Sequence, residues 1–344
     1  MLSESGGPSG SDEGLVAHEA RAREGRAAVS EKTRPRDGVL VIDKPRGPTS
    51  HTVVARVRRL LGTREVGHAG TLDPMATGVL VVAIGEATKL VPYLTAENKS
   101  YEATIALGVA TDTLDAEGKE TERVAPSDAL KAALATSNGA LVAPEIEAAL
   151  ATERARTSQV PPAFSAIKQA GERAYEKARR GESPELAARA VSVASLRLLD
   201  ASEDPPAIAI AMDVAKGYYV RSLARDLAAS LGTVGHLTAL RRTRSGSFTL
   251  DEALSIDTPA DELAARILPV AHAASRVLPA ARLTESGAVD ARHGRPVRPG
   301  DIEPSSPATL GVHAWLDADG QLVAVGTIDD DGTGRVVRGF SIGG

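Results

Sequence analysis

One carboxylate is marked out by its setting. Asp73 lies in the stretch Gly67-His68-Ala69-Gly70-Thr71-Leu72-Asp73-Pro74-Met75-Ala76-Thr77-Gly78-Val79-Leu80, and an apolar run follows to Ile84. Glycines 67, 70 and 78 let the backbone approach a partner closely, and Pro74 fixes the chain directly after the acid. A rigid loop with one Asp and one His ahead of a buried strand is a way to present an acid to a substrate. The same Leu-Asp-Pro segment also reads as a plain turn in which Asp73 bonds its own backbone. Spacing alone favours the turn.

The rest of the chain reverses that preference. Upstream stand Gly38-Val39-Leu40-Val41-Ile42-Asp43-Lys44-Pro45-Arg46-Gly47-Pro48-Thr49-Ser50, and downstream Gly85-Glu86-Ala87-Thr88-Lys89 and Lys99-Ser100-Tyr101. Further on come Pro161-Pro162-Ala163-Phe164-Ser165-Ala166-Ile167-Lys168, Lys216-Gly217-Tyr218-Tyr219-Val220-Arg221-Ser222 and Leu240-Arg241-Arg242. In this order, over about residues 38 to 340, the chain resembles the TruB family of tRNA pseudouridine synthases. The resemblance implies an isomerase that converts a uridine in the T-loop of tRNA to pseudouridine.

That reaction breaks the N1–C1′ glycosidic bond, turns the base and joins C5 to C1′. The base must first leave its stack, at a cost of a few kcal/mol that contacts to the RNA must offset. A carboxylate can attack an oxocarbenium-like C1′ or remove a proton from the sugar. The resemblance puts Asp73 in this role without choosing the route. Such an acid works only if ionised, and arginine, which does not release its proton, is the partner for it. The family pairs its catalytic Asp with the arginine of a Gly-x-Tyr-x-Arg segment, here Arg221. A cation near a helix N-terminus opposes the macrodipole, which fits a specific acidic partner better than a free surface.

Tyr101 matches the family tyrosine that stacks on the target base and is implicated in removing the C5 proton. Taken alone it would be an ordinary inward strand residue. Tyr219 and Leu240 match positions lining the uracil pocket, and His68 matches a contact to the displaced nucleotide. Position 218 departs from the family, with Tyr where Thr is frequent. No cofactor and no metal are implied: the histidines show no ligand spacing, and Gly67-x-x-Gly70 and Gly85 to Lys89 carry no Walker spacing.

At 344 residues the chain exceeds one typical domain. Its 42% apolar and 25% charged residues are ordinary for a globular protein. Cysteine is absent, which excludes disulfides, thiol catalysis and thiolate metal sites. No apolar run approaches the ~20 residues of a membrane span, and the first residues have no apolar core segment, so no membrane partner and a cytoplasmic location are expected. A net charge of −5 argues against a nucleic-acid binder, but the distribution argues for one. Lys32 to Arg64 is strongly basic, and so is a second zone holding Lys216, Arg221, Arg225, Arg241, Arg242 and Arg244. The alternative is a set of solvated helix faces.

Positioning these residues requires an α+β architecture. Residues 1–36 read as a disordered tail and 37–278 as a pseudouridine synthase domain with an insert at about 140–186. Its expected core is a mixed, mainly antiparallel sheet flanked by helices. Strands are expected at 38–42, 79–84, 101–107, 191–199 and 207–214. A helix is expected from His51 to Leu61, capped by Ser50 and closed by Gly62. Further helices are expected at 127–134, 144–150, 175–180 and 221–231, with a helical turn over 235–243. Residues 279–344 form a small β-rich module with a hairpin turn at Asp317-Ala318-Asp319-Gly320. Its segment Ala291 to Val297 resembles a PUA-type RNA-binding domain, while a small barrel of other function stays open.

The expected partner is tRNA through its T-arm, bound by a monomer that requires no protein partner. Two other readings stand beside this one. A guide-dependent synthase of the dyskerin type shares the Gly-Thr-Leu-Asp-Pro core. A non-catalytic RNA-binding or RNA-folding protein would keep the fold, but it would not need Asp73, Tyr101 and Arg221 together.

Overall fold

The structure, a computed structural model, describes residues 37–165, 167–169, 172–180, 182, 186–304 and 311–341. The tail expected over residues 1–36 lies outside them. Two apolar runs organise the rest. Strand β1 (Gly38–Lys44) pairs antiparallel with β3 (Thr77–Ile84) along its whole length, from Gly38 opposite Ile84 to Lys44 opposite Gly78. Both runs are apolar without alternation because both sheet faces are covered. Leu40, Ile42, Leu80, Val82 and Ile84 enter one core, while Val39, Val41, Val79, Val81 and Ala83 enter another. Short β2 (Val66–Ala69) adds to the end of β3, so His68 lies on a strand that leads into the Asp73 loop.

The sheet continues through β4 (Lys99–Leu107), β5 (Val193–Glu203), β6 (Pro206–Val214) and β7 (Gly235–Ser245) in the spatial order β5-β6-β4-β7-β3-β1. Leu254–Ser255 runs parallel beside β1, and β7 meets β3 in parallel at Arg241–Thr77 and Arg242–Gly78. The other pairings within this order are antiparallel. The mixed, mainly antiparallel sheet is therefore as expected. Helix α1 (Ser50–Leu61) contributes Val53, Val54 and Val57 to the first core. Helices α2 (Asp128–Thr136), α3 (Pro144–Arg154) and α4 (Val220–Ser230) cover that same face with Leu134, Leu150, Leu223 and Leu227.

Two local expectations are corrected. The 235–243 segment is strand β7, not a helical turn. It carries register shifts against β4 between Leu237 and Ala239 and between Arg242 and Arg244. These bulges break the two-residue alternation, so inward positions recur at Gly235, Leu237, Leu240, Arg242 and Ser245 and imitate helical spacing. At α1, the cap is Thr49, whose hydroxyl accepts from the Thr52 N–H. Ser50 is instead drawn to the Asp73 loop.

After Pro279 a second sheet forms from β8 (Ala280–Leu283), β9 (Ile302–Pro304), β10 (Gly311–Leu316), β11 (Leu322–Ile328) and β12 (Gly334–Gly339), ordered β9-β8-β10-β11-β12. The expected Asp317–Gly320 turn joins β10 to β11. Helix α5 (Glu285–Arg292) and buried Trp315 fill a small core of this sheet. Its other face is not free: Ala314, Leu322, Val325 and Phe340 share one apolar cluster with Val39, Val81, Leu90 and Phe248 of the larger body.

Candidate active site

The loop between β2 and β3 is held at many of its polar backbone groups. Ser50 Oγ donates to the Leu72 carbonyl (3.1 Å) and accepts from the Leu72 N–H (2.9 Å). The Ala76 N–H returns to the Asp73 carbonyl, closing the turn that Leu-Asp-Pro predicted. Lys44, fully buried, directs Nζ to the carbonyls of Pro74 and Ala76 at 3.2 and 2.7 Å. Burial pushes its pKa down to about 8, opposed by the negative charge of Asp73. Gly70 and Gly78 have φ of +89° and +101°, which L side chains rarely adopt, whereas Gly67 is an ordinary strand residue. Asp73 is thus both a turn residue and a presented acid, its side chain 37% exposed toward an open cavity.

Arg221 stands opposite, in the first turn of α4. Its Nε lies 2.9 Å from Asp73 Oδ2, so the expected pair forms. The geometry is not the bidentate fork that an arginine often makes with a carboxylate. The remaining nitrogens donate to the carbonyls of Thr113 (2.9 Å) and Phe164 (2.8 Å), bridging three segments. The Arg221 side chain is 8% exposed, and the cost of a cation at a helix start is met by these acceptors. Tyr219 caps this helix without a side-chain bond; instead Gln159 grips its backbone, accepting from its N–H at 3.0 Å and donating to its carbonyl at 3.1 Å.

A second acid, Asp115, was not anticipated. It is buried, 3.8 Å from Arg221 Nε through Oδ2, while its Oδ1 accepts from the Thr113 hydroxyl and the Glu117 N–H. The preceding residue, Leu114, has φ +62°, uncommon without glycine. That conformation is held by the Leu114 carbonyl accepting from the Leu237 N–H of β7. In the sequence Asp115 is one of several acids in a polar loop. Only the fold separates it from Asp112 and Glu117. Ser50 and Gln159 carry no sequence signal for their roles either.

The six expected site residues come close together, though not identically placed. Asp73, Tyr101, Tyr219, Arg221 and Leu240 line one cavity of about 1180 Å³. Tyr101 lies half-buried on β4, Leu240 is buried on β7, and burial raises the Tyr219 phenol pKa. His68 sits behind the loop and does not line that cavity. Its Nδ1 is buried without a partner, and its ring meets His51, a lining residue, edge-on at 5.2 Å. Burial, then the His51 and Arg242 charges, lower its pKa. Tyr218 is buried, its phenol pushed upward by burial and then by Glu153.

The second basic zone is largely engaged inside the fold. Arg221 meets Asp73, Arg225 meets Asp226, Arg241 meets Asp43 and Arg244 meets Asp213. Lys216 is exposed at the cavity rim, and so is Arg189. Among the described residues no His, Asp or Glu cluster is placed to hold a metal ion.

Comparison with known proteins shows the family of this chain. Residues 58–220 match the family model of the TruB family pseudouridylate synthase N-terminal domain, and residues 221–274 that of the tRNA pseudouridylate synthase B C-terminal domain. The chain is 47% identical to tRNA pseudouridine synthase B of Mycobacterium sp. (strain KMS) over 294 residues, 84% of this chain and 91% of that one. It is 47% identical to the Thermobifida fusca protein of that name, covering 76% and 87% of the two chains. With the Cereibacter sphaeroides protein identity is 45%, covering 89% and 94%. Among solved structures, a chain of an H/ACA ribonucleoprotein bound to a substrate RNA containing 2′-deoxyuridine shares the fold. The TM-score is 0.62 at 24% identity, over 89% of this chain and 85% of that one. The ordered motifs, the Asp73–Arg221 pair and the relatives agree: this chain belongs to the TruB family of pseudouridylate synthases.

Proposed function

We propose that the protein isomerises uridine to pseudouridine in the T-loop of tRNA, with Asp73 as the acting carboxylate. The observation that carries this is the Asp73–Arg221 ion pair, exposed on its Asp73 side to a cavity that also presents the Tyr101 ring. At about 1180 Å³ the cavity exceeds the roughly 300–1,000 Å³ of ordinary small-molecule pockets, which suits a flipped nucleotide with its neighbours. Asp73 acts on C1′, or on a sugar proton, as the N1–C1′ bond breaks and its electron pair leaves with uracil. The base then turns and C5 bonds to C1′ as the Asp73–C1′ bond breaks, or as the sugar proton returns from Asp73; C5 releases a proton and N1 gains one, so the product is an isomer. Tyr101 stacks on the base, and its hydroxyl relays the C5 proton, accepting it as its own proton passes on to water. Tyr219 and Leu240 flank the ring, and His68, neutral at pH 7, supports His51 beside the displaced nucleotide.

The neighbouring surfaces fit RNA. Arg189 and Lys216 are exposed cations at the cavity rim, suited to phosphates. Residues 279–344 would act as a PUA-like RNA-binding domain, with Arg298 and Arg338 exposed on it. The enzyme would work as a cytoplasmic monomer with no cofactor, guide RNA or protein partner. Unmodified tRNA transcript incubated with the protein alone should acquire pseudouridine in its T-loop, mapped by chemical probing. Asp73→Asn should make no product while binding tRNA nearly as wild type, because the amide replaces the carboxylate at equal volume. Product appearing only with an added guide RNA would favour the ribonucleoprotein reading. Turnover of Asp73→Asn within about tenfold of wild type, a change of only ~1.4 kcal/mol, would remove Asp73 from the chemistry.

A further inference from the structure

The Asp73 loop is also bound by a buried cation that pairs with no carboxylate among the described residues. Arg242 of β7 is 1% exposed. Its Nε donates to the Val79 carbonyl at 2.7 Å and its terminal nitrogens to the carbonyls of Gly70 at 3.0 Å and Thr71 at 3.5 Å. Gly70 and Thr71 precede Asp73, and Val79 follows it. One planar group therefore ties the two ends of the loop whose middle carries the acid. Lys44 and Ser50 hold the middle; neither joins both ends.

The surrounding backbone is arranged around this group. Arg242 stands opposite Gly78 in the two-residue parallel contact of β7 with β3. A Cβ at Gly78 would lie 2.2 Å from the Arg242 carbonyl oxygen, and one at Gly70 3.4 Å from a guanidinium nitrogen. The bulge between Arg242 and Arg244 then shifts the register against β4, which resumes at Arg244 opposite Ser100. A guanidinium keeps its charge when desolvated, so it is buried at tolerable cost only where its donors are met, and here backbone carbonyls meet them.

We propose that Arg242 is a positioning residue for the pseudouridine reaction: it holds the 70–79 loop closed so that Asp73 meets C1′ in register, acting through backbone and not through contact with RNA. The role rests on the function proposed above for Asp73. Lysine would keep the charge but not the span, because one ammonium cannot reach Val79 on one side and Gly70 and Thr71 on the other.

The test compares Arg242→Lys with wild type by thermal melt, tRNA affinity across salt concentrations, single-turnover rate at saturating tRNA, and hydrogen exchange of the 70–79 loop. The expected result is a folded variant with tRNA affinity and salt slope unchanged, faster exchange in the loop, and a rate lower by about 100-fold, the scale of a misplacement near 1 Å. Arg242→Gln, which keeps a planar donor of shorter reach without a buried charge, should give the same pattern if Arg242→Lys does not fold. A rate within about threefold of wild type overturns the proposal, as does unchanged exchange. Weaker binding with a shallower salt slope and a preserved rate also overturns it, by making Arg242 a phosphate contact. Hydrogen exchange reads the clamp whether or not the wild-type protein makes pseudouridine, and a wild type without product strikes at the proposed function alone.

Discussion

Arg221→Ala removes the ion pair to Asp73, the donors to the Thr113 and Phe164 carbonyls, and the cation beside Asp115. These losses are unequal. Asp73 is 37% exposed and regains water, so its share should be below about 1 kcal/mol. The two carbonyls face the volume that the guanidinium vacates, which water can fill, at a cost of about 1 kcal/mol for each bond lost. Asp115 is 7% exposed and becomes an uncompensated buried anion, for which about 3–5 kcal/mol is usual. The Thr113 and Glu117 donors and the long 3.8 Å separation place it at the lower end. The total is then about 5–6 kcal/mol. At roughly 2 °C per kcal/mol for a chain of this size, the melting temperature should fall by about 10–12 °C.

The assay is a double-mutant cycle of thermal and denaturant melts on wild type, Arg221→Ala, Asp115→Asn and the double variant. Neutralising Asp115 should restore about 2–3 kcal/mol in the Arg221→Ala background, whereas Asp73→Asn there should restore almost nothing. An Arg221→Ala melt within about 1 °C of wild type would refute the reasoning, and so would a coupling energy to Asp115 near zero. Arg221→Lys separates geometry from charge. One ammonium cannot serve Asp73 and both carbonyls together, so turnover should fall by about 100-fold with tRNA binding retained.

Tyr101→Phe keeps the ring and removes the hydroxyl, so tRNA binding should persist while isomerisation stalls after glycosidic cleavage; full activity would restrict Tyr101 to stacking. Deleting residues 279–344 should lower the melting temperature or solubility, because Val81, Leu90 and Phe248 would lose the cover of Leu322, Val325 and Phe340. RNA binding by that module is better tested in the full chain. Arg298→Glu with Arg338→Glu should weaken tRNA affinity and make its salt slope shallower by about 1 per lost phosphate contact, and unchanged binding would exclude that surface. Lys44 and Lys99, both pushed down to about 8 by burial, give a pH signature. Between pH 8 and 10.5 the unfolded chain holds more protons on them than the folded one, so their contribution to stability rises with pH. Lys99→Met should flatten that rise in denaturant melts, and an identical slope would show that Lys99 does not titrate as described.

The sequence by itself determined the apolar strands other than 235–245 and marked out the acid. An unbroken apolar run such as Val79 to Ile84 has few stable uses other than a strand covered on both faces, and Leu-Asp-Pro between glycines has to turn. The family motifs supplied the meaning of that turn, including Arg221 as the partner of Asp73, and both appear at ion-pair distance. Local rules were enough wherever the deciding partners are close in the chain, as in the Asp317–Gly320 hairpin.

Only the tertiary structure decided the rest, because the deciding partners lie far apart in the chain. Whether Thr49 or Ser50 caps α1 depends on Leu72, which draws the Ser50 hydroxyl away. Segment 235–245 becomes a strand because β4 and β3 accept it on either side, although its bulges blur the alternation that marks a strand. Asp115 is indistinguishable from its acidic neighbours until Leu237 holds the turn beneath it and Arg221 arrives from α4. Buried charges need partners wherever the chain can supply them, and here those partners are backbone carbonyls and carboxylates many residues away, which no local pattern encodes.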